Sequence, residues 1–144
     1  MEFSSAEVAL NALKTLVTDR IELDHYKSVC AFLRANIEGL DSPTLSDQPH
    51  GSAPAGAEGD EIAQYMDLLK LLEIKTQNYN DKLHAVTAIL SRVKKPYIDI
   101  LVTRYVLGMP WNDISQKLGY SQSHTYKLHR DALQAYTLAF GVPK

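Results

Sequence analysis

Apolar residues recur at steps of three and four along the first forty positions. Leu16, Leu23, Tyr26, Cys30, Leu33, Ile37 and Leu40 form one stripe, and Leu10, Leu13, Val17 and Ile21 form its neighbour. This spacing predicts a helix over about residues 5–40 with a broad apolar face. Ser4 or Ser5 can cap it, Glu7 falls in its first turn, and Gly39 offers a stop. The pattern then disappears. DSPTLSDQPHGSAPAGAEG, residues 41–59, is rich in Pro, Gly, Ser and Ala and reads as a flexible connection. From about Asp60 to Lys94 a heptad is nearly unbroken. Ile62, Leu69, Thr76, Leu83 and Leu90 hold one position, and Tyr65, Leu72, Tyr79, Val86 and Val93 hold the other. A stripe this narrow and this long indicates coiled-coil packing and needs a partner helix. The first helix can fold back as an antiparallel hairpin, which the linker length and matched helix lengths favour. Pairing with a second copy in a homodimer is the other option.

Pro96 punctuates the chain. Ile98, Leu101, Val102, Tyr105 and Val106 then return to helical spacing, and Gly108-Met109-Pro110 breaks it again, with Pro110 near the start of the next helix. The segment WNDISQKLGYSQSHTYKLHRDAL, Trp111–Leu133, reads as two short helices around a tight turn. Ile114 and Leu118 share one face. Gly119 supplies the left-handed conformation that ends a helix, and Ser121 is placed to cap the next. Thr125, Leu128, Ala132 and Leu133 then face inward and leave Gln122, Ser123, His124, Lys127 and Arg130 outside. A glycine turn between two helices, the second with a polar and basic outer face, is how side chains are presented to the major groove of DNA. The expected architecture is therefore all-α, in segments 1–40, 41–59, 60–94 and 95–144. A helical hairpin or coiled coil precedes a helix-turn-helix domain.

The formal charge of −2 changes the picture only through its distribution. Residues 1–91 carry 14 Asp/Glu against 7 Lys/Arg, a balance of −7, whereas residues 92–144 carry 8 Lys/Arg against 3 Asp/Glu, a balance of +5. The basic part coincides with the two-helix motif, as expected of a DNA-binding end. No apolar run approaches the roughly 20 residues that span a bilayer. The N-terminal stretch lacks the basic and apolar regions of a secretion signal. The single cysteine, Cys30, reads as a small buried hydrophobe in a reducing cytoplasm. His25, His50 and His84 stand alone, and no glycine-rich phosphate loop, nucleophile elbow or metal-ligand spacing is present, so neither an enzyme nor a bound cofactor is expected.

Position assigns the DNA contacts. Gln122, Ser123, His124 and Lys127 lie where base edges come within reach, glutamine being suited to adenine and lysine to guanine. Ser121, Tyr126, His129 and Arg130 on the same helix, Lys117 on the one before, and Arg92, Lys94, Lys95 and Arg104 upstream are candidate phosphate contacts. Trp111 reads as a core anchor packing against Tyr105 or Leu101.

The stretches "RYVLGMPW", "DISQKLGYS" and "YKLHRDAL", within Tyr97–Leu133, resemble the C-terminal region of phage-encoded ArpU-type transcriptional regulators, a module itself similar to region 4 of bacterial sigma factors. The motif likeness covers about the last third of the chain. It implies activation of late phage or prophage genes from promoter DNA, with RNA polymerase as a candidate partner. Two residues depart from the pattern. Ser115 stands where alanine is usual, and Thr125 stands where valine or isoleucine is common, so its hydroxyl needs a partner such as the backbone carbonyl one turn back. Two competing readings are a small terminase-like DNA-packaging subunit, whose domain order this chain reverses, and an RNA polymerase-binding module that uses the motif only as scaffold.

Overall fold

The structure is a computed structural model, and it describes residues 3–40 and 55–141. Among the described residues the chain is all-helical: α1 (Ala6–Leu40), α2 (Ala55–Leu90), α3 (Tyr97–Leu101), α4 (Trp111–Leu118) and α5 (Gln122–Phe140), with α3 continuing into a π-helical turn, Val102–Val106. No helix among them is long and apolar enough to cross a membrane.

Ser5 caps α1, its hydroxyl accepting from Val8 N at 3.3 Å. α2 begins at Ala55, inside the stretch read from sequence as linker. Ala55, Ala57 and Glu58 are strong helix formers and outweigh Gly56 and Gly59. The rest of that expected linker, 41–54 and with it His50, lies outside the described residues. α2 stops at Leu90 rather than Lys94. Arg92 and Val93 N–H bond to Ile89 and Leu90 carbonyls in tight turns ahead of Pro96, whose predecessor disfavours helix. The Lys95-Pro96 bond is cis.

The chain divides into two compact units, Met1–Arg20 with Tyr79–Lys144, and Ile21–Asn78. This differs from the division expected at 40, 59 and 94, because the boundary falls inside α1 and α2 and not between them. The reason is burial. Ala9, Ala12, Leu13 and Leu16 of α1 and Val86, Ile89 and Leu90 of α2 share one core with Ile100, Leu101, Ile114, Leu128, Ala132 and Tyr136. Tyr136 is fully buried, and its hydroxyl donates to Ala9 O at 2.9 Å. In the same unit Lys82 Nζ reaches Asp19 Oδ2 at 2.5 Å and Thr15 Oγ1 at 2.6 Å.

In the second unit Leu23 and Cys30 are buried, and Tyr65, Leu69, Leu72 and Thr76 of the heptad are half-buried. Lys75 Nζ bonds Glu22 at 2.7 Å and lies 5.0 Å from the ring centre of Tyr26. Ile21 departs from its expected stripe and is 61% exposed; Ile62, at the start of the heptad, is exposed too.

Candidate nucleic-acid interface

α4 and α5 meet through a three-residue turn whose geometry follows from its residues. Gly119 adopts φ 77°, a conformation that costs a side-chain-bearing residue strain. This lets the Ser115 carbonyl accept from both Gly119 N at 2.9 Å and Tyr120 N at 3.0 Å, which satisfies the helix end. Two residues later Ser121 is extended, and its hydroxyl accepts from His124 N at 3.1 Å, starting α5. Tyr120 packs against the core and sets its ring edge-on to His124 at 4.7 Å.

The inner face of α5 carries Thr125, Leu128, Ala132, Tyr136 and Ala139, all buried, with Leu133 half-buried. Thr125 Oγ1 donates to Ser121 O at 2.8 Å, and Ser115 Oγ lies 3.0 Å away as a donor to it. Ser115 and Thr125 thus partner each other. No buried side-chain nitrogen or oxygen lacks a partner among the described residues.

Gln122, Ser123, His124, Lys127 and Arg130 are exposed, as are Lys117 on α4 and Lys94 and Lys95 before α3. From Lys117 to Arg130 the sequence contains no carboxylate. The unit holding this surface carries 11 Lys/Arg against 7 Asp/Glu, while Ile21–Asn78 carries 4 against 10. Ser121 is exposed, but its hydroxyl already serves as the cap.

Other phosphate candidates have structural employment. Arg92 Nη1 donates to Ala139 O at 3.1 Å, closing the C-terminal end of α5, about 25 Å along the helix from Gln122 at 1.5 Å per residue. Arg104 Nη1 donates to Met109 O at 3.1 Å, and its guanidinium stacks 4.4 Å from the Trp111 ring centre. His129 is half-buried, its Nε2 2.6 Å from the Tyr105 hydroxyl and its ring edge-on to Trp111 at 4.6 Å. Burial first, then the nearby Arg104 and Lys14 charges, lower its pKa from 6.5 to about 4. It is neutral at pH 7 and ill-suited to attract a phosphate. Burial likewise raises the Tyr105 hydroxyl. Trp111 packs against the core, and its aromatic contacts run to α5, with Tyr126 at 5.2 Å as well as His129. Tyr126 remains 48% exposed at the edge of this cluster.

Sequence reasoning missed two residues. Arg20 donates to Val106 O at 2.6 Å and Leu107 O at 3.1 Å, capping the π-helical turn that leads into α4. Its distance along the chain leaves no local signal. Asn112, in the first turn of α4, accepts from Gln122 Nε2 at 3.3 Å. Its place opposite the first residue of α5 could have been found from the register of the two helices. Among the described residues no three side chains come together as a metal site. Neither a family model, nor a curated protein, nor a solved structure matches the chain.

Proposed function

We propose that this protein is a sequence-specific transcriptional regulator that binds double-stranded DNA through α4 and α5, a helix-turn-helix with α5 as the recognition helix. The observation that carries the reading is the Gly119–Ser121 turn. It holds the N-terminal half of α5 so that Gln122, Ser123, His124 and Lys127 all face solvent, within a stretch from Lys117 to Arg130 that carries basic residues and no carboxylate. Lys117, Lys127 and Arg130, with Lys94 and Lys95 upstream, supply phosphate attraction. Arg92, Arg104 and His129 support the scaffold instead. α1 and α2 act as a helical hairpin, a reading supported by the Lys82–Asp19 and Lys75–Glu22 pairs. Activation of late phage or prophage genes is the role that the resemblance to ArpU-type regulators favours.

The test is a mobility shift with promoter fragments at moderate salt, comparing the wild type with Lys127→Ala/Arg130→Ala. Both residues are exposed, so the variant keeps its helical content by circular dichroism. It binds at least tenfold more weakly and shows a shallower salt dependence, since each lost phosphate contact lowers the slope by about one. Equal binding by both proteins would show that this face of α5 does not meet DNA.

A further inference from the structure

The turn between α4 and α5 brings together two exposed amides. Gln122 Nε2 donates to Asn112 Oδ1 at 3.3 Å, from the first residue of α5 to the first turn of α4. We infer that Asn112 is a positioning residue that aims the amide of Gln122 at an adenine. The inference rests on the DNA-binding reading of α5. An exposed glutamine is a poor reader by itself, because its three side-chain torsions let the amide point in many directions and ordering them costs entropy. Tethering the amide to α4, a separate helix held by buried Ile114 and Ser115, fixes that direction before DNA arrives.

The tether also selects the base. An amide nitrogen carries two hydrogens, and Asn112 takes one of them. The other hydrogen and Oε1 remain, a donor beside an acceptor. Adenine presents the complementary pair in the major groove, the N7 acceptor and the N6 amino donor, whereas guanine presents two acceptors and would set O6 against Oε1. Asn112 therefore does not need to touch the base in order to influence which base is chosen.

The experiment is selection of double-stranded fragments from a randomised pool by the full chain, as wild type, Gln122→Ala, Asn112→Ala and Asn112→Asp. The wild type enriches a site with adenine at one position, and Gln122→Ala lowers that preference roughly tenfold or more. Asn112→Ala lowers it at the same position and leaves the others unchanged, with wild-type helicity. Asn112→Asp keeps an acceptor for Nε2 and restores the preference, while total affinity falls because a negative charge now sits beside the DNA. A merely structural Asn112 would not produce this split between affinity and preference. Unchanged preferences in Asn112→Ala, or no restoration in Asn112→Asp, would overturn the role of Asn112 and leave DNA binding standing. A wild type that enriches nothing would remove the DNA-binding reading and this inference with it.

Discussion

The hydroxyl of Thr125 illustrates how a polar residue is accommodated on an inward face. The residue is 1% exposed, yet it donates to Ser121 O and receives Ser115 Oγ, so neither hydroxyl is buried without a partner. Each such bond contributes about 1 kcal/mol net, and an orphaned group would cost more. Ser115 and Thr125 look like independent departures in the sequence, because nothing in a linear pattern pairs positions on two helices. His129 makes the opposite case. Its place further along α5 suggested a phosphate contact, but neighbouring aromatic rings and the Tyr105 hydroxyl claim it. Because its pKa is lowered on folding, protonation favours the unfolded chain. Its effect on stability is absent above pH 6.5, grows as the pH falls from there to about 4, and then levels off. Thermal unfolding across pH 4–7.5 checks this. His129→Gln, which does not titrate, should lose less stability than the wild type over that interval, and parallel curves would contradict a neutral, half-buried His129.

Among the elements, the left-handed glycines Gly108 and Gly119 differ in kind. A Cβ on Gly119 would meet nothing within 4 Å, so Gly119→Ala costs only backbone strain, about 1–2 kcal/mol. At Gly108, also left-handed with φ 74°, a Cβ would lie 2.8 Å from Arg20 Nη2 and 3.2 Å from Val17 Cγ1. Arg20 is held by two carbonyls and cannot swing away without losing them. Gly108→Ala therefore adds an overpacking cost of about 1–3 kcal/mol to the same strain. Urea unfolding should rank Gly108→Ala below Gly119→Ala, and equal midpoints would mean that Arg20 is not clamping that turn. Sequence patterning located each helix, because helical periodicity and the Gly, Pro and Ser punctuation are local signals. It misjudged the start of α2, where alanine propensity prevailed inside a Gly-rich stretch. It gave no hint of the π-helical turn after α3, which the long-range Arg20 cap supports.

For the whole molecule, charge separation was legible in the sequence and the unit boundary was not. The unit Met1–Arg20 with Tyr79–Lys144 has a formal charge of +4, and Ile21–Asn78 has −6, so the basic and acidic stretches fall in different units. The heptad predicts that α2 needs a partner, and the broad apolar face of α1 offers one. These patterns do not tell where along a continuous helix the neighbours change, because that depends on which side chains the distant α3–α5 cluster can bury. The exposed face of α5 was recoverable from spacing alone, since a buried stripe defines its complement; the Arg20 cap, far along the chain from its acceptors, was not. The central claim is that this face reads DNA, and it is tested most directly by presenting the intact chain with a random pool of double-stranded fragments at near-physiological salt. The account predicts enrichment of one defined sequence that is lost in Lys127→Ala/Arg130→Ala; recovery of an unenriched pool by a folded wild-type protein would contradict it.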